Sequence, residues 1–177
     1  MSYQDLENAL IDTFGVENVS MERPAKKSAS DGFRRGEFYN PRSDFVVRPF
    51  NLDLDIDRSE FVAAFDRHAS LFEVLRAKSF HGNQVNFAFN QNPRYFVAVE
   101  DETKKVRKHM LGSIINASVL GKIGVVSAAD ADAYDVLCKM KRYFEFIQER
   151  KGLAMAENVL VVKRKDLITG LRASKQV

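Results

Sequence analysis

Hydrophobic and polar positions along the chain alternate between a helical and a strand rhythm. In QDLENALIDTFG, Leu6, Leu10 and Phe14 share one helical face and Gly15 supplies a stop, which predicts a helix over 4–15. The stretch MERPAKKSASDG over 21–32 is polar and broken by Pro24 and Gly32, and reads as a loop. Strand patterns come next over 33–39 and 44–50, with a turn at Asn40-Pro41 between them. Phe61, Phe65, His68, Phe72 and Leu75 then recur at helical spacing, predicting one helix through residue 78 with Asp57 or Ser59 as its N-cap. QVNFAFN over 84–90 alternates like a strand and NQNP over 90–93 like a turn. An apolar strand is predicted over 95–101, a helix over 104–121, a short buried strand over 122–128, a long amphipathic helix over 129–152 and a last strand over 158–164. That order predicts a single α/β domain over 1–177 with a central mixed sheet flanked by helices. No internal repeat or low-complexity tract interrupts it.

Composition narrows the class without naming a function. A chain of 177 residues, 45% hydrophobic and 29% charged, can bury one substantial core. No apolar run approaches the roughly 20 residues of a membrane helix, and the N-terminus lacks the basic and apolar blocks of a secretory signal. The single cysteine, Cys138, excludes an internal disulfide and a cysteine-rich zinc cluster, so a reducing, cytoplasmic setting is expected. The net charge of +3 is mild but unevenly spread. KKVRKH over 104–109 comes directly after acids, Lys163, Arg164, Lys165, Arg172 and Lys175 crowd the C-terminal end, and 165–177 reads as a basic tail. Charge runs are ordinarily solvated faces; acids set beside bases are also how a chain binds cations and phosphates together.

The stretch YFVAVEDETKK concentrates the question, because an apolar strand runs into Glu100, Asp101 and Glu102. Residues two apart in a strand point the same way, so Phe96, Ala98, Glu100 and Glu102 fall on one face. Two carboxylates there suit a hard divalent cation, and Asp44, in NPRSDFVVRPF, supplies a third from another strand. A plainer reading also accounts for the stretch. Acids in the first turn of a helix are stabilising by about 0.3–1 kcal/mol, which would explain Asp101 and Glu102 as a solvated cap.

PRSDFVV, followed by VAVEDETK, a helix and IGVVSA, resembles the PD-(D/E)xK nuclease superfamily, the restriction-endonuclease-like fold. The resemblance implies a core of a helix, three strands, a helix and a strand, with 51–93 as an insertion. It makes Asp44 the first motif acid and Glu100 the second. Glu102 then stands where most members carry lysine and a minority carry glutamate; a shifted register pairs Glu102 with Lys104 instead. Glu7 falls where some members have an extra metal-binding glutamate. The resemblance implies a nuclease that hydrolyses DNA phosphodiester bonds with Mg²⁺ or Mn²⁺, in a restriction, defence or repair system, as a homodimer or in a larger complex. Asp44, Glu100 and Glu102 would bind metal, Lys104 and Lys105 would assist, and Lys105, Arg107 and Lys108 would contact nucleic-acid phosphates. The alternative is a non-catalytic nucleic-acid- or protein-binding module on the same fold, favoured by the missing lysine.

Other candidates carry less. DLDIDRSEF has the alternating acids of a calcium loop at Asp53, Asp55 and Asp57, but Arg58 stands where glycine is needed and Ala64 where glutamate is needed. His68 lies on an apolar stripe and reads as half-buried, His81 reads as a loop residue, and His109 stands among the candidates for gripping phosphate or serves equally as a surface residue. Cys138 reads as a small buried residue. GSIINAS suggests close helix-to-sheet packing, with Ser113 or Asn116 as candidates to face the acids. Phe80, Phe87 and Phe89 would stack bases on one reading and fill a core on the other.

Overall fold

A computed structural model of the chain describes residues 1–24, 42–51, 58–152 and 154–174. Its first helix, α1 (Tyr3–Phe14), starts at a capping box: the Ser2 hydroxyl accepts from the Asp5 amide at 3.1 Å, and the Asp5 carboxylate accepts from the Ser2 amide at 2.6 Å. The helix ends at Gly15, whose φ of 92° lies where glycine is favoured. After it come β1 (Val19–Pro24), β2 (Arg42–Phe50), α2 (Arg58–Arg67), α3 (Ala69–Lys78), a 3-10 turn (Gly82–Gln84), β3 (Tyr95–Glu102), α4 (Arg107–Leu120), β4 (Gly121–Ala128), α5 (Ala131–Lys151), β5 (Val159–Lys163) and α6 (Arg164–Ala173).

The five strands form one mixed sheet in the order β1-β2-β3-β4-β5. β1, β2 and β3 pair antiparallel, whereas β3, β4 and β5 run parallel. Parallel neighbours need crossovers, and α4 and α5 supply them. One core lies between the sheet and α1, α3 and α6, with Leu6, Leu10, Phe72, Val97, Val99, Val125 and Leu171 among its members. A second lies against α4 and α5, with Met110, Ile114, Val126, Leu137 and Val161. Covered on both faces, β3 and β4 are buried almost throughout, as continuous apolar strands of an α/β sheet are. α4 sits directly on β4: a Cβ on Gly124 would lie 2.8 Å from the carbonyl carbon and oxygen of Ala117. Among the described residues, no helix is long and apolar enough to cross a membrane.

The α/β class and central mixed sheet agree with the expectation from sequence, and several boundaries differ. β1 runs to Pro24, so the start of the expected loop over 21–32 is a strand paired with β2. The rest of that loop, the expected strand over 33–39, the turn at Asn40-Pro41 and the acids Asp53, Asp55 and Asp57 lie outside the described residues. The helix expected to run unbroken to residue 78 is two helices, with His68 at the break, where φ and ψ are −114° and 16°. The expected strand over 84–90 is not a strand. Val85 and Phe87 are buried while Gln84, Asn86 and Ala88 are exposed. The alternation there records a segment lying over the core, its Asn86 amide bonded to the Glu157 carbonyl at 2.9 Å. α4 begins at Arg107 rather than 104, which leaves Lys104 and Lys105 in the connection after β3. The stretch read as a basic tail is mostly α6, which buries Leu167, Ile168 and Leu171.

Candidate functional site

The β2–β3 ladder runs from Phe50↔Tyr95 to Phe45↔Val99. Beyond it, side chains of β2 take over. The Asp44 carboxylate accepts from the Asp101 amide at 2.8 Å, and the Ser43 hydroxyl donates to Glu100 Oε1 at 3.0 Å. Phe96 departs from the face expected for it and joins Val97 and Val99 in the core under α1 and α6; from Val97 onward the faces of β3 alternate regularly. Glu100 and Glu102 therefore point to the α4 side and Asp101 to the α6 side. The hydrogen bonds agree. Ser113 of α4 donates to Glu102, while Arg164 of α6 and Ser127 of β4 donate to Asp101.

Glu100 is only 7% exposed. Burial pushes its carboxyl up to about 8, the Asp44 carboxylate pushes the same way, and Glu102 adds to it. Hydrogen bonds to Glu100 from Ser43 and from Asn116 offset part of that rise. Asp44 and Glu102 are thus both close enough to act on Glu100, at one end of the sheet. The three do not form a finished cage: among the described residues, no group of three His, Cys, Asp or Glu side chains is arranged to hold a metal ion. The donor set is nonetheless all carboxylate oxygen, the kind that Mg²⁺ and Mn²⁺ take, and a cation there would relieve the repulsion that raises Glu100.

Asp101 has a different role from its neighbours. Its side chain is fully buried and forms a two-point ion pair with Arg164, Nε to Oδ1 at 2.9 Å and Nη2 to Oδ2 at 2.6 Å. The solvated-cap reading therefore fails for Asp101. Sequence reasoning places Arg164 only among surface charges; the signal available there is a buried-strand acid in need of a cation, and an arginine directly after the last strand.

The basic residues are spread more widely. Lys104 is exposed in the connection after β3, and Arg107 and Lys108 are exposed on the first turn of α4. Lys105 forms an ion pair with Asp132, at the start of α5. Glu7 accepts a hydrogen bond from Gln4 of its own helix at 2.7 Å. Ser113 and Asn116, the two polar residues of GSIINAS singled out in the sequence, both face the acids.

The remaining candidates are accounted for by packing. His68 lies half-buried against Phe14, ring centroids 4.8 Å apart, and burial, then Arg67, holds its imidazole below the usual range. The His81 ring nitrogen lies 2.8 Å from a Glu145 carboxylate oxygen, and His109 is exposed. Cys138 is buried, which pushes its thiol up. Phe87 belongs to the core, and Phe80 stacks on His81 at 3.9 Å. No family model, no curated protein and no solved structure matches the chain.

Proposed function

We propose that the protein is a metal-dependent nuclease on a restriction-endonuclease-like core, hydrolysing phosphodiester bonds of DNA. Asp44, Glu100 and Glu102 would hold Mg²⁺ or Mn²⁺. The observation that carries this reading is Glu100, buried at the end of a central strand and raised to about 8 by burial and by carboxylates from its own strand and the adjacent one. Crowding of carboxylates is unfavourable without a counter-charge, and perturbed groups of this kind are candidates for functional sites. With α2 and α3 set aside as an insertion between β2 and β3, the order α1, antiparallel β1–β3, α4 and parallel β4 supports the fold half of the proposal.

When bound, such a cation polarises a phosphate oxygen and lowers the pKa of a bound water. The chain's own groups have separable tasks. Glu100 and Asp44 provide oxygens from two strands. Ser113 and Asn116 on α4 orient Glu102 and Glu100 by hydrogen bonds. Arg107 and Lys108, beside the positive end of α4, would hold backbone phosphates. Lys104 would reach back from the connection to assist the attacking water.

A non-catalytic nucleic-acid- or protein-binding module is the second reading. Glu102 in place of a lysine, its hydrogen bond from Ser113 and the pairing of Lys105 with Asp132 favour it. Thermal melts with Mg²⁺ and Mn²⁺, read with cleavage of supercoiled and linear DNA, separate the two. The nuclease reading expects stabilisation by metal and cleavage, both lost in Glu100→Gln. Wild type and E100Q that are equally indifferent to metal and equally inactive would overturn it.

A further inference from the structure

We infer that Asp101 and Arg164 are positioning residues for the carboxylate site, holding the end of β3 from the opposite face of the sheet; this rests on the reading of Asp44, Glu100 and Glu102 as a metal site. Arg164 is the first residue of α6, directly after β5, and is 7% exposed. Its guanidinium clamps the Asp101 carboxylate at two points, Ser127 donates to the same carboxylate, and Arg164 Nη1 lies 3.4 Å from the Met1 carbonyl. A planar, two-point pair fixes orientation as well as distance.

That orientation reaches all three acids. The Asp101 amide donates to Asp44 at 2.8 Å, and Glu100 and Glu102 are its immediate chain neighbours. A rotation of the Asp101 peptide would therefore displace Asp44, Glu100 and Glu102 together. Stability gives no reason for the pair, because a buried ion pair is often no better than apolar residues of similar volume. The rest of the inner face of α6 is apolar, with Leu167, Ile168 and Leu171. A costly charge pair stands at the strand position that lies between two of the acids.

The test compares wild type, Arg164→Lys, the neutral pair D101N/R164Q and E100Q. Each is checked for folding by circular dichroism, then measured for Mg²⁺ affinity by calorimetry and for DNA cleavage against Mg²⁺ concentration. The neutral pair removes both charges together, so that neither is left buried without its partner, and it stays informative where R164K unfolds. Groups that orient metal ligands typically account for about 10- to 100-fold in metal affinity or activity. The expected result is a loss of that size in the Mg²⁺ midpoint for the folded neutral pair, with a smaller loss in R164K, which keeps the charge but not the planar fork. A folded neutral pair with the wild-type midpoint and rate, while E100Q loses both, overturns the positioning role alone. Wild type that neither binds Mg²⁺ nor cleaves, and does not differ from E100Q, overturns this inference together with the reading of the site.

Discussion

The backbone amide of Asp101 donates to the Asp44 carboxylate at 2.8 Å, so a side chain of β2, rather than its backbone, receives the end of β3. The contact joins the start of β2 to the end of β3 through a side chain instead of a continued ladder. It also makes the geometry of Asp44 depend on how Asp101 is held.

Glu100 sets a pH dependence of known sign. An unfolded glutamate titrates near 4.5, and in the fold its carboxyl is raised to about 8. Between these values the folded state holds a proton that the unfolded state has released, so stability falls as pH rises and levels off above about 8. The fall should be on the order of a few kcal/mol. Glu100→Gln should flatten that stretch in urea melts taken across pH, and Mg²⁺ should flatten it in wild type. An equal slope in E100Q would place its cause elsewhere.

Asp101→Ala should be severe, although the residue lies between two acids and looks like a spacer. It leaves the Arg164 guanidinium buried without its carboxylate, and breaking such a pair costs about 3–5 kcal/mol. For a chain of this size that is a drop of roughly ten degrees in Tm. A change under about two degrees would mean that Arg164 finds water when Asp101 is removed.

Asn116→Asp should give opposite results with and without metal. It replaces a hydrogen-bond donor to Glu100 with a further carboxylate, which should lower Tm at neutral pH in the absence of divalent ions. Added Mg²⁺ should then raise Tm by more than it does in wild type, as expected where binding is linked to folding. An equal response in both proteins would separate Asn116 from the metal.

Gly124→Ala should disrupt the support of the site from a distance. Its Cβ would lie 2.8 Å from backbone atoms of Ala117, which cannot yield without moving α4. Overpacking of this kind typically costs about 1–3 kcal/mol. Because α4 carries Ser113 and Asn116, the Mg²⁺ midpoint should weaken along with Tm. A lowered Tm at an unchanged midpoint would show that α4 moves without its polar face.

If the protein is the proposed nuclease, its binding to DNA should weaken linearly on a log–log plot against salt, with a slope of about one per phosphate contact. Charge reversal at Arg107 or Lys108 should reduce that slope, whereas reversal at Lys105, already paired with Asp132, should change it less. Filter binding across salt concentrations gives both slopes. Equal slopes for Lys105 and Lys108 variants would remove the first turn of α4 from the interface.

Much of this protein is legible in its sequence because the two periodicities are local. The capping box at Ser2 and Asp5, the apolar run into Glu100, and the two-residue spacing that sets Glu100 and Glu102 apart from Asp101 need only neighbouring residues to be read. Alternation reports burial and not pairing, which is why 84–90 looks like a strand and is not one, and why the break at His68 is invisible in a continuous helical stripe. Charge patterning is blinder still. Asp101 and Arg164 stand 63 positions apart, each within an acidic or basic run that looks like surface, and only the parallel stacking of β3, β4 and β5 brings α6 under the end of β3. The sequence by itself determined which carboxylates share a face, because strand geometry is fixed over two residues. Tertiary structure decided which of them are crowded and which is neutralised, because burial and ion pairing depend on elements that meet only when the sheet has formed.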